Sequence, residues 1–383
     1  MEKIYSPEVH LFIVWEKARY KEKIILDEIR ENFKVLGVYN IIWSKDKISE
    51  NFSRFYGRKL PANSNKEKHC GTGPFLLVVI EDSSPHYIER KTSKGDEVVN
   101  KNTFDLKSKY RDMTGGGHKI HCTNSKEETD HDLTLLLGLN ASDFLNNSSI
   151  HLGEVVTLNR DITGSDGWKD INEFFYVLNN TVKYVILRNF ECLPDQYKIE
   201  NHGDIDLLVD NLKEFEWISN GIKLSRKKHR VQYHINVGKE KILLDSRYLG
   251  DNYYDSNWEK NILNNRIVNK NLFYTPNVVD YFYSLLYHAL IHKRRVSEDY
   301  IKKIGELFEC INNKSTNIKM FADEQQMMNL LDSFMKSNEY EYTEPVDLSV
   351  YYNNKRVKQS ITNKRLFNEK IVKRVQTLIN KMS

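Results

Sequence analysis

Short apolar runs alternate with amphipathic segments along the first 140 residues of the chain. The runs VHLFIVW (9–15), VLGVYNIIW (35–43) and GPFLLVVIE (73–81) are rich in β-branched residues and predict buried strands. The segment 21–33 carries apolar Ile24, Ile25, Ile29 and Phe33 at helical spacing. Ser125 with Glu128 predicts the start of another helix. The polar stretch KTSKGDEVVNKN (91–102) predicts a surface loop.

The second half of the chain repeats this alternation and then becomes helical. Periodicity is lost near residue 145, which predicts a domain boundary there. Beyond it the pattern predicts one helix (170–180), four strands (183–190, 205–210, 231–237, 241–249) and helices from residue 277 onward. The expected fold class is therefore α/β (α+β). The expected segments are a first domain over 1–145, a second over 150–300, and a helical region over 301–383.

Composition narrows the class of protein. The chain has 383 residues, of which 40% are hydrophobic, and a net charge of +4. No apolar run approaches the roughly 20 residues that a membrane span needs. The four cysteines form no C-x-x-C pair, so we expect reduced thiols and no structural zinc site. These features predict a cytoplasmic protein.

The C-terminal tail is strongly basic. Nine lysines and arginines stand against two acidic residues from Val346 to Ser383, a local balance of +7. Apolar residues recur there at helical spacing, so residues 355–381 predict a basic amphipathic helix. Such a helix would contact an anionic membrane face, a nucleic acid or an acidic partner. The alternative is a terminal helix docked on the body with its basic side in solvent.

The stretch NHGDIDLLVDN (201–211) carries the most informative chemistry. In an extended strand Asp204 and Asp206 point to the same face, while Ile205 points into the packing. Two carboxylates in one small volume repel each other unless a proton or a cation neutralises them. Oxygen-only ligands suit a hard divalent ion, so the D-I-D pair predicts a Mg²⁺ site.

Several segments surround this pair, namely LRN (187–189), GDIDLLV (203–209), HRVQYH (229–234), ILLDSRY (242–248) and the helical run ending in HALIHK (288–293). Together they resemble the corresponding segments of the polymerase-β-like nucleotidyltransferases. More narrowly, they are similar to a poorly characterised bacterial group of that superfamily over residues 180–295. The resemblance implies that Asp204, Asp206 and Asp245 are catalytic and hold two Mg²⁺ ions.

The resemblance also implies a nucleotide-binding set. Arg188 and Asn189 stand where relatives carry a Gly-Ser or Lys-Gly turn on the phosphates, Gly203 precedes the acidic strand, and Arg247 follows Asp245 by two. His288 and His292 lack the glutamate of an H-E-x-x-H zinc motif and are expected in the core or on the substrate.

The implied function is a Mg²⁺-dependent transfer of a nucleoside monophosphate, or a related phospho-group, from an NTP to an acceptor hydroxyl. The acceptor stays open between a glycan, a tRNA and a protein. A lipid-linked glycan would place the enzyme at the inner membrane face through the basic tail.

Two segments of the first domain are informative, FYGRKLP (55–61) before a strand and GGGHKIHCTNSKEETDHDL (115–133). Through them the domain resembles a nucleoside diphosphate kinase over residues 8–140, which implies a ferredoxin-like fold. The likeness implies that His121 accepts phosphate and that Glu127 orients it, with His118 and Arg111 as further contacts. His118 replaces the family's asparagine, and Cys122 replaces a glycine, which favours a binding or assembly module.

Two rival functions follow from this first domain. One is a phosphohistidine-type nucleotide phosphotransferase acting through His121. The other is a non-catalytic nucleotide-binding scaffold in which both domains have lost activity. The likeness also implies a homo-oligomer, because relatives of this fold assemble through it.

Overall fold

The computed structural model describes residues 6–92, 95–147, 154–196, 203–225, 229–312, 321 and 323–358. The chain divides into two compact units. The first contains residues 1–182 with 213–221 and 235–240, and the second contains 183–212, 222–234 and 241–383.

The first unit contains seven strands and seven helices in its main segment, counted over the described residues. The strands are β1 (Glu8–Val14), β2 (Lys34–Ile42), β3 (Phe75–Asp82), β4 (Tyr87–Thr92), β5 (Gly95–Asn100), β6 (Ile120–Cys122) and β7 (Val155–Asn159). The helices are α1 (Glu22–Asn32), α2 (Ile48–Phe55), α3 (Asn65–Cys70), α4 (Lys101–Met113), α5 (Lys126–Leu137), α6 (Ala141–Asn146) and α7 (Ile171–Thr181). A 3₁₀ turn covers Glu16–Lys21.

The main sheet of the first unit has the order β6-β1-β3-β2-β7. Strands β6, β1, β3 and β2 are antiparallel neighbours, which is the arrangement of a ferredoxin-like sheet, and β7 adds a parallel fifth strand beside β2. An aromatic core of Trp15, Trp43, Phe52, Phe55 and Phe75 packs at one end of it. The predicted mixed α/β class is confirmed.

The surface loop predicted over 91–102 is wrong. Strands β4 and β5 form an antiparallel hairpin there, with Tyr87 paired to Asn100 and Thr92 to Gly95. The strands of this hairpin are mostly polar and, apart from Val99 and Asn100, half-buried or exposed, so they show no apolar alternation in the sequence. Gly95 takes a φ of +116°, a conformation that side chains disfavour, where the hairpin turns.

The remaining elements build the second unit and the short segments grouped with the first. The strands are β8 (Tyr184–Arg188), β9 (Asp204–Val209), β10 (Ile222–Lys223), β11 (Gln232–Val237), β12 (Glu240–Tyr248), β13 (Ile267–Asn269) and β14 (Phe273–Thr275). The helices are α8 (Leu212–Ile218), α9 (Ser256–Asn264), α10 (Val278–Ile291), α11 (Glu298–Asn312) and α12 (Glu324–Ser337).

The sheet of the second unit has the order β10-β11-β12-β9-β8 and is mixed. Strand β9 is parallel to β12 and antiparallel to β8. Helices α9 to α12 pack around a large aromatic core that includes Trp258, Phe282 and Tyr287. A helical region toward the C-terminus is therefore present, as predicted.

The compact units divide the chain at a different place from the predicted domains. Residues 154–182 belong to the first unit because β7 pairs with β2 and α7 packs against α5. The loss of periodicity near residue 145 predicts instead that this stretch belongs to the second domain. A parallel pairing more than a hundred residues away leaves no local signal.

The predicted basic helix over 355–381 lies mainly outside the described residues. At its start, Arg356 donates a hydrogen bond to the Leu290 carbonyl at 2.8 Å and pairs with Glu324. In the described part of the chain, no helix combines the length and the apolar character of a membrane span. All four cysteines are free thiols.

A buried carboxyl pair in the second unit predicts a pH-dependent stability. Burial and the neighbouring Asp251 raise the pKa of Glu259, and the two side chains share a hydrogen bond. The folded state then keeps a proton that the unfolded state releases above about pH 4.3. The contribution of Glu259 to the free energy of unfolding is therefore greatest below that pH and decreases as the pH rises. We expect the urea midpoint to fall from about pH 5 to about pH 8.

The matched variant for this prediction is Glu259→Gln. Its amide can donate to Asp251 without titrating and can still accept from the Gly250 or Tyr254 amide that Glu259 now holds. The variant should show a flatter pH dependence than the wild type. Equal slopes for the two proteins would contradict the shared proton.

Candidate functional site

Three carboxylates meet on the neighbouring strands β9 and β12 of the second unit. The parallel register places Asp206 beside Asp245 and Asp204 beside Leu243. Because alternate residues of a strand share a face, all three side chains project to the same side. Each offers a carboxylate oxygen, and these oxygens lie within 4.8 Å of one another. Among the described residues, no other group of three or more acidic, histidine or cysteine side chains has this spacing.

The two strands hold the carboxylates through their apolar residues. Ile205, Leu207 and Leu208 of β9 are buried, and so are Ile242 and Leu244 of β12. Asp206 lies among them at 6% exposure, whereas Asp204 and Asp245 are half-buried. The packing therefore fixes the backbone on both sides of each acid.

Two buried arginines neutralise part of this negative charge. Arg188 at the end of β8 donates to Asp206 at 2.5 Å. Arg247 donates to both oxygens of Asp245, at 3.0 and 3.1 Å, and to Asp347 at 3.3 Å. Both arginines are less than a tenth exposed. The cluster is thus a network of arginines and carboxylates in which Asp204 has no arginine partner within the described part of the chain.

The pKa of Asp206 reflects this crowding. Burial is the largest cause that raises it, and the nearby Asp204 and Asp245 charges raise it further. Arg188 and Arg247 oppose these effects, and the balance leaves the pKa of Asp206 at about 6. A buried carboxyl that holds its proton this tightly is stabilised in its charged form by an added cation.

The turn after β8 keeps a conformation that glycine usually provides. Asn189 has a φ of +60°, in the left-handed region where asparagine is the most tolerated non-glycine residue. Its side-chain amide lies 3.4 Å from Asp206 Oδ2. Gly203 is exposed, and a Cβ added to it would meet no atom of the described residues within 4 Å. The structure therefore shows no steric need for glycine at this position.

A cavity of about 410 Å³ opens over the carboxylates. Arg188, Asn189, Asp204, Asp206, Asp245 and Arg247 line it, whereas Gly203 does not. Three further cations also line it, namely Arg230, Lys293 and Arg294. Lys293 and Arg294 are exposed, and no carboxylate pairs with any of the three in the described residues. The lining of the cavity thus combines carboxylates with cations that have no carboxylate partner among the described residues.

Several residues that line this cavity were not predicted from the sequence. Asp347 lies a hundred residues beyond the arginine it contacts, and Tyr253, Tyr300 and Tyr351 also line the cavity. Tyr253 packs beneath the Arg247 guanidinium, 4.9 Å from the ring centre. None of the four belongs to a motif, so only the tertiary structure brings them to the site. For the cation Arg230, the local signal in the sequence is its place at the end of the basic run SRKKHR (225–230).

The histidine site expected in the first unit has a different partner from the predicted one. Asp132 on α5, not Glu127, contacts His121, with 2.6 Å between Asp132 Oδ2 and His121 Nε2. Glu127 lies on the exposed first turn of α5, because Ser125 caps the helix and accepts from the Glu128 amide. Asp132 follows almost a turn and a half later and faces β6.

The other two residues predicted for that site lie near basic groups. Burial, with Lys66 and Arg111 nearby, lowers the pKa of His118 to about 4, so its imidazole is neutral. Arg111 donates from Nε to the Ile120 carbonyl at 2.9 Å. Lys66 lies 3.9 Å from the centre of the Tyr56 ring, and Tyr56 is 6.3 Å from the His121 ring.

Comparison with known proteins does not assign the chain to a family. No protein-family model matches the chain, and no curated protein matches it either. Among solved structures, it is similar to the nucleoside diphosphate kinase of Aquifex aeolicus in an orthorhombic crystal form, at 18% sequence identity and a TM-score of 0.24. The match covers 38% of this chain and all of that one.

Proposed function

We propose that the protein is a Mg²⁺-dependent nucleotidyltransferase that transfers a nucleoside monophosphate from an NTP to an acceptor hydroxyl. The observation that carries the proposal is the group of three carboxylates on two parallel strands. Their oxygens are mutually close, one of them is buried with a raised pKa, and the donor set is oxygen only. These properties fit a hard divalent cation.

The residues divide into two roles in this reaction. Bound to Asp204, Asp206 and Asp245, Mg²⁺ would supply Lewis-acid stabilisation of the phosphates and activation of the attacking hydroxyl. Arg230, Lys293 and Arg294 would bind the phosphate chain, because they line the same cavity without carboxylate partners. Arg188 and Arg247 would neutralise charge beside the transferred phosphate.

The proposed reaction is a displacement at the α-phosphorus of the NTP. The acceptor oxygen attacks the α-phosphorus, a new P–O bond forms, and the bond from that phosphorus to the β-phosphate oxygen breaks. Pyrophosphate leaves with that bond's electron pair. Asp245 accepts the hydroxyl proton as a general base.

Calorimetric titration of the wild-type protein with ATP, GTP, CTP and UTP, each with and without Mg²⁺, tests the proposal. We expect at least one NTP to bind once per chain only when Mg²⁺ is present. A preference for CTP would direct the acceptor search to glycans, and a preference for ATP would direct it to a tRNA or a protein. NTP binding that is independent of Mg²⁺, or no NTP binding at all, would contradict the proposal.

The raised pKa of Asp206 predicts how metal binding depends on pH. A proton competes with the cation for this carboxylate, so affinity for Mn²⁺, used in place of Mg²⁺, should rise as pH increases through about 6 and then level off. Arg188→Gln removes a charge that lowers the pKa of Asp206, so the rise should shift to higher pH. A pH-independent affinity in the wild type, or no shift in the variant, would refute this account.

A second candidate function rests on the His121–Asp132 contact in the first unit. A carboxylate on one ring nitrogen is the arrangement that orients a nucleophilic histidine. This candidate predicts acid-labile labelling of the protein by γ-labelled ATP, lost in His121→Ala and kept in Asp204→Ala. The nucleotidyltransferase proposal predicts no such labelling.

A further inference from the structure

His292 is a buried imidazole on the wall of the cavity, and no described residue forms a hydrogen bond with its ring. It is 4% exposed, and within the described part of the chain neither ring nitrogen has a donor or acceptor in reach. His288, one helical turn earlier on α10, lines the same cavity but is satisfied, with 2.7 Å between its Nδ1 and the Tyr253 hydroxyl. Burial of a polar group without a hydrogen-bond partner costs free energy. An unsatisfied polar group that lines a cavity therefore indicates a position where a ligand binds.

The surrounding aromatic rings hold the His292 side chain in place. Its ring centre lies 4.2 Å from that of Tyr253 and 5.1 Å from that of Tyr287. Its backbone N–H donates to the His288 carbonyl at 3.0 Å, which fixes its position at the end of α10. The imidazole is thus presented to the cavity by packing, at no further ordering cost when a ligand arrives.

The charges around His292 indicate what kind of ligand group it meets. Burial lowers its pKa, and the positive charges of Arg188, Arg247 and Lys293 lower it further. The ring is therefore neutral, with one N–H donor and one acceptor nitrogen. Because the N–H donor of His292 lies near several positive charges, the ligand group that fits it best is an anionic hydrogen-bond acceptor.

The charge balance of the cavity points the same way. Five cationic side chains, Arg188, Arg230, Arg247, Lys293 and Arg294, line it against four carboxylates, Asp204, Asp206, Asp245 and Asp347. The balance is +1 before any metal ion binds, and each divalent ion adds two positive charges. A polyphosphate matches such a site in sign and size of charge.

We propose that His292 binds the phosphate chain of the nucleotide by donating its ring N–H to a phosphate oxygen. The inference rests on the proposed nucleotidyltransferase function and assigns His292 a positioning role in it. The other ring nitrogen would then be free to accept a hydrogen bond from a water molecule or from the hydroxyl that is modified.

The test compares three proteins in calorimetric titrations with Mg²⁺ and tripolyphosphate. His292→Phe keeps the ring and removes both nitrogens, so it should bind tripolyphosphate about tenfold or more weakly than the wild type, the effect of losing a hydrogen bond to a charged group. His292→Gln keeps an N–H donor and should recover part of the affinity. Binding of the unphosphorylated nucleoside should be unchanged in both variants.

Stability separates this role from a structural one. Because His292→Phe removes an unsatisfied buried polar group, its urea midpoint without ligand should equal or exceed that of the wild type. His288→Phe is the matched control and should be less stable, because it breaks the bond to Tyr253. If His292→Phe does not fold, the ¹⁵N shift of the wild-type His292 ring on adding tripolyphosphate serves instead, and an unchanged shift would count against the proposal.

The outcomes distinguish this inference from the proposed function. A wild type that binds Mg²⁺ and tripolyphosphate, together with a His292→Phe variant that binds them equally well, overturns the inference alone. A variant that loses nucleoside binding instead overturns the assignment to phosphate. A wild type that binds no polyphosphate overturns both proposals.

Discussion

Replacing Asp206 with asparagine is expected to abolish Mg²⁺-dependent nucleotide binding. The carboxylate is buried and has an oxygen within 4.8 Å of the other two carboxylates. Arg188 neutralises part of its charge, and the proposed cation would neutralise the rest. Substitution of a residue that only forms a hydrogen bond to a metal ligand already lowers metal affinity or activity by about 10- to 100-fold. The loss at a ligand itself should therefore exceed about 100-fold, measured as the dissociation constant of the NTP that binds the wild type in Mg²⁺.

Asp210→Asn provides the matched control for this variant. Asp210 directly follows the same strand, is exposed and does not line the cavity. The change removes the same charge from the same segment and should leave nucleotide binding within about twofold of the wild type. Equal losses in both variants would show that binding depends on general charge rather than on the carboxylate group.

The second large effect is expected at Arg54 in the first unit. This arginine is fully buried, and five hydrogen bonds satisfy it without a carboxylate acceptor among the described residues. Its acceptors are the carbonyls of Ile162, Thr163, Trp217 and Ile218 and the hydroxyl of Ser165. Burial lowers the pKa of Arg54 to about 10, so the charge persists at neutral pH. The guanidinium thus joins α2 to the 162–165 turn and the end of α8.

Arg54→Met should therefore destabilise the first unit strongly. The substitution leaves several buried acceptors without donors, and each costs about 1–3 kcal/mol. We expect a loss of about 3 kcal/mol or more, seen as a lower urea midpoint in the transition of that unit. Arg58→Met, at an exposed arginine four residues later, should change stability by less than about 0.5 kcal/mol. An Arg54→Met variant as stable as Arg58→Met would refute the structural role.

The sequence predicted the parts of the fold and of the candidate site that depend on local pattern. The apolar runs located β1, β2, β3, β8 and β9, and the alternation in D-I-D placed Asp204 and Asp206 on one face. The third carboxylate, Asp245, came from a resemblance, and the parallel pairing of β9 and β12 brings it beside Asp206. The shared face of Asp204 and Asp206 follows from the two-residue period of a strand, whereas the pairing of β9 with β12 does not.

The features that the sequence could not predict depend on contacts between distant segments. Asp347 reaches Arg247 across a hundred residues, and β7 pairs with β2 across more than a hundred. The partner of His121 was assigned to Glu127, because the family pattern suggested it, but the phase of α5 turns Asp132 toward the ring instead. A shift of five residues along one helix changes which carboxylate faces the sheet, and no local rule fixes that choice.

The most direct test of the proposed metal site is to count, by electron paramagnetic resonance, the Mn²⁺ ions that the protein binds in the presence of its preferred NTP. The account predicts two ions per chain in the wild type and in Asp210→Asn, and none held at this site in the variant that carries Asp204→Asn, Asp206→Asn and Asp245→Asn together. An equal count in the wild type and the triple variant, or no bound ion in either, would contradict a metal and nucleotide site at these three carboxylates.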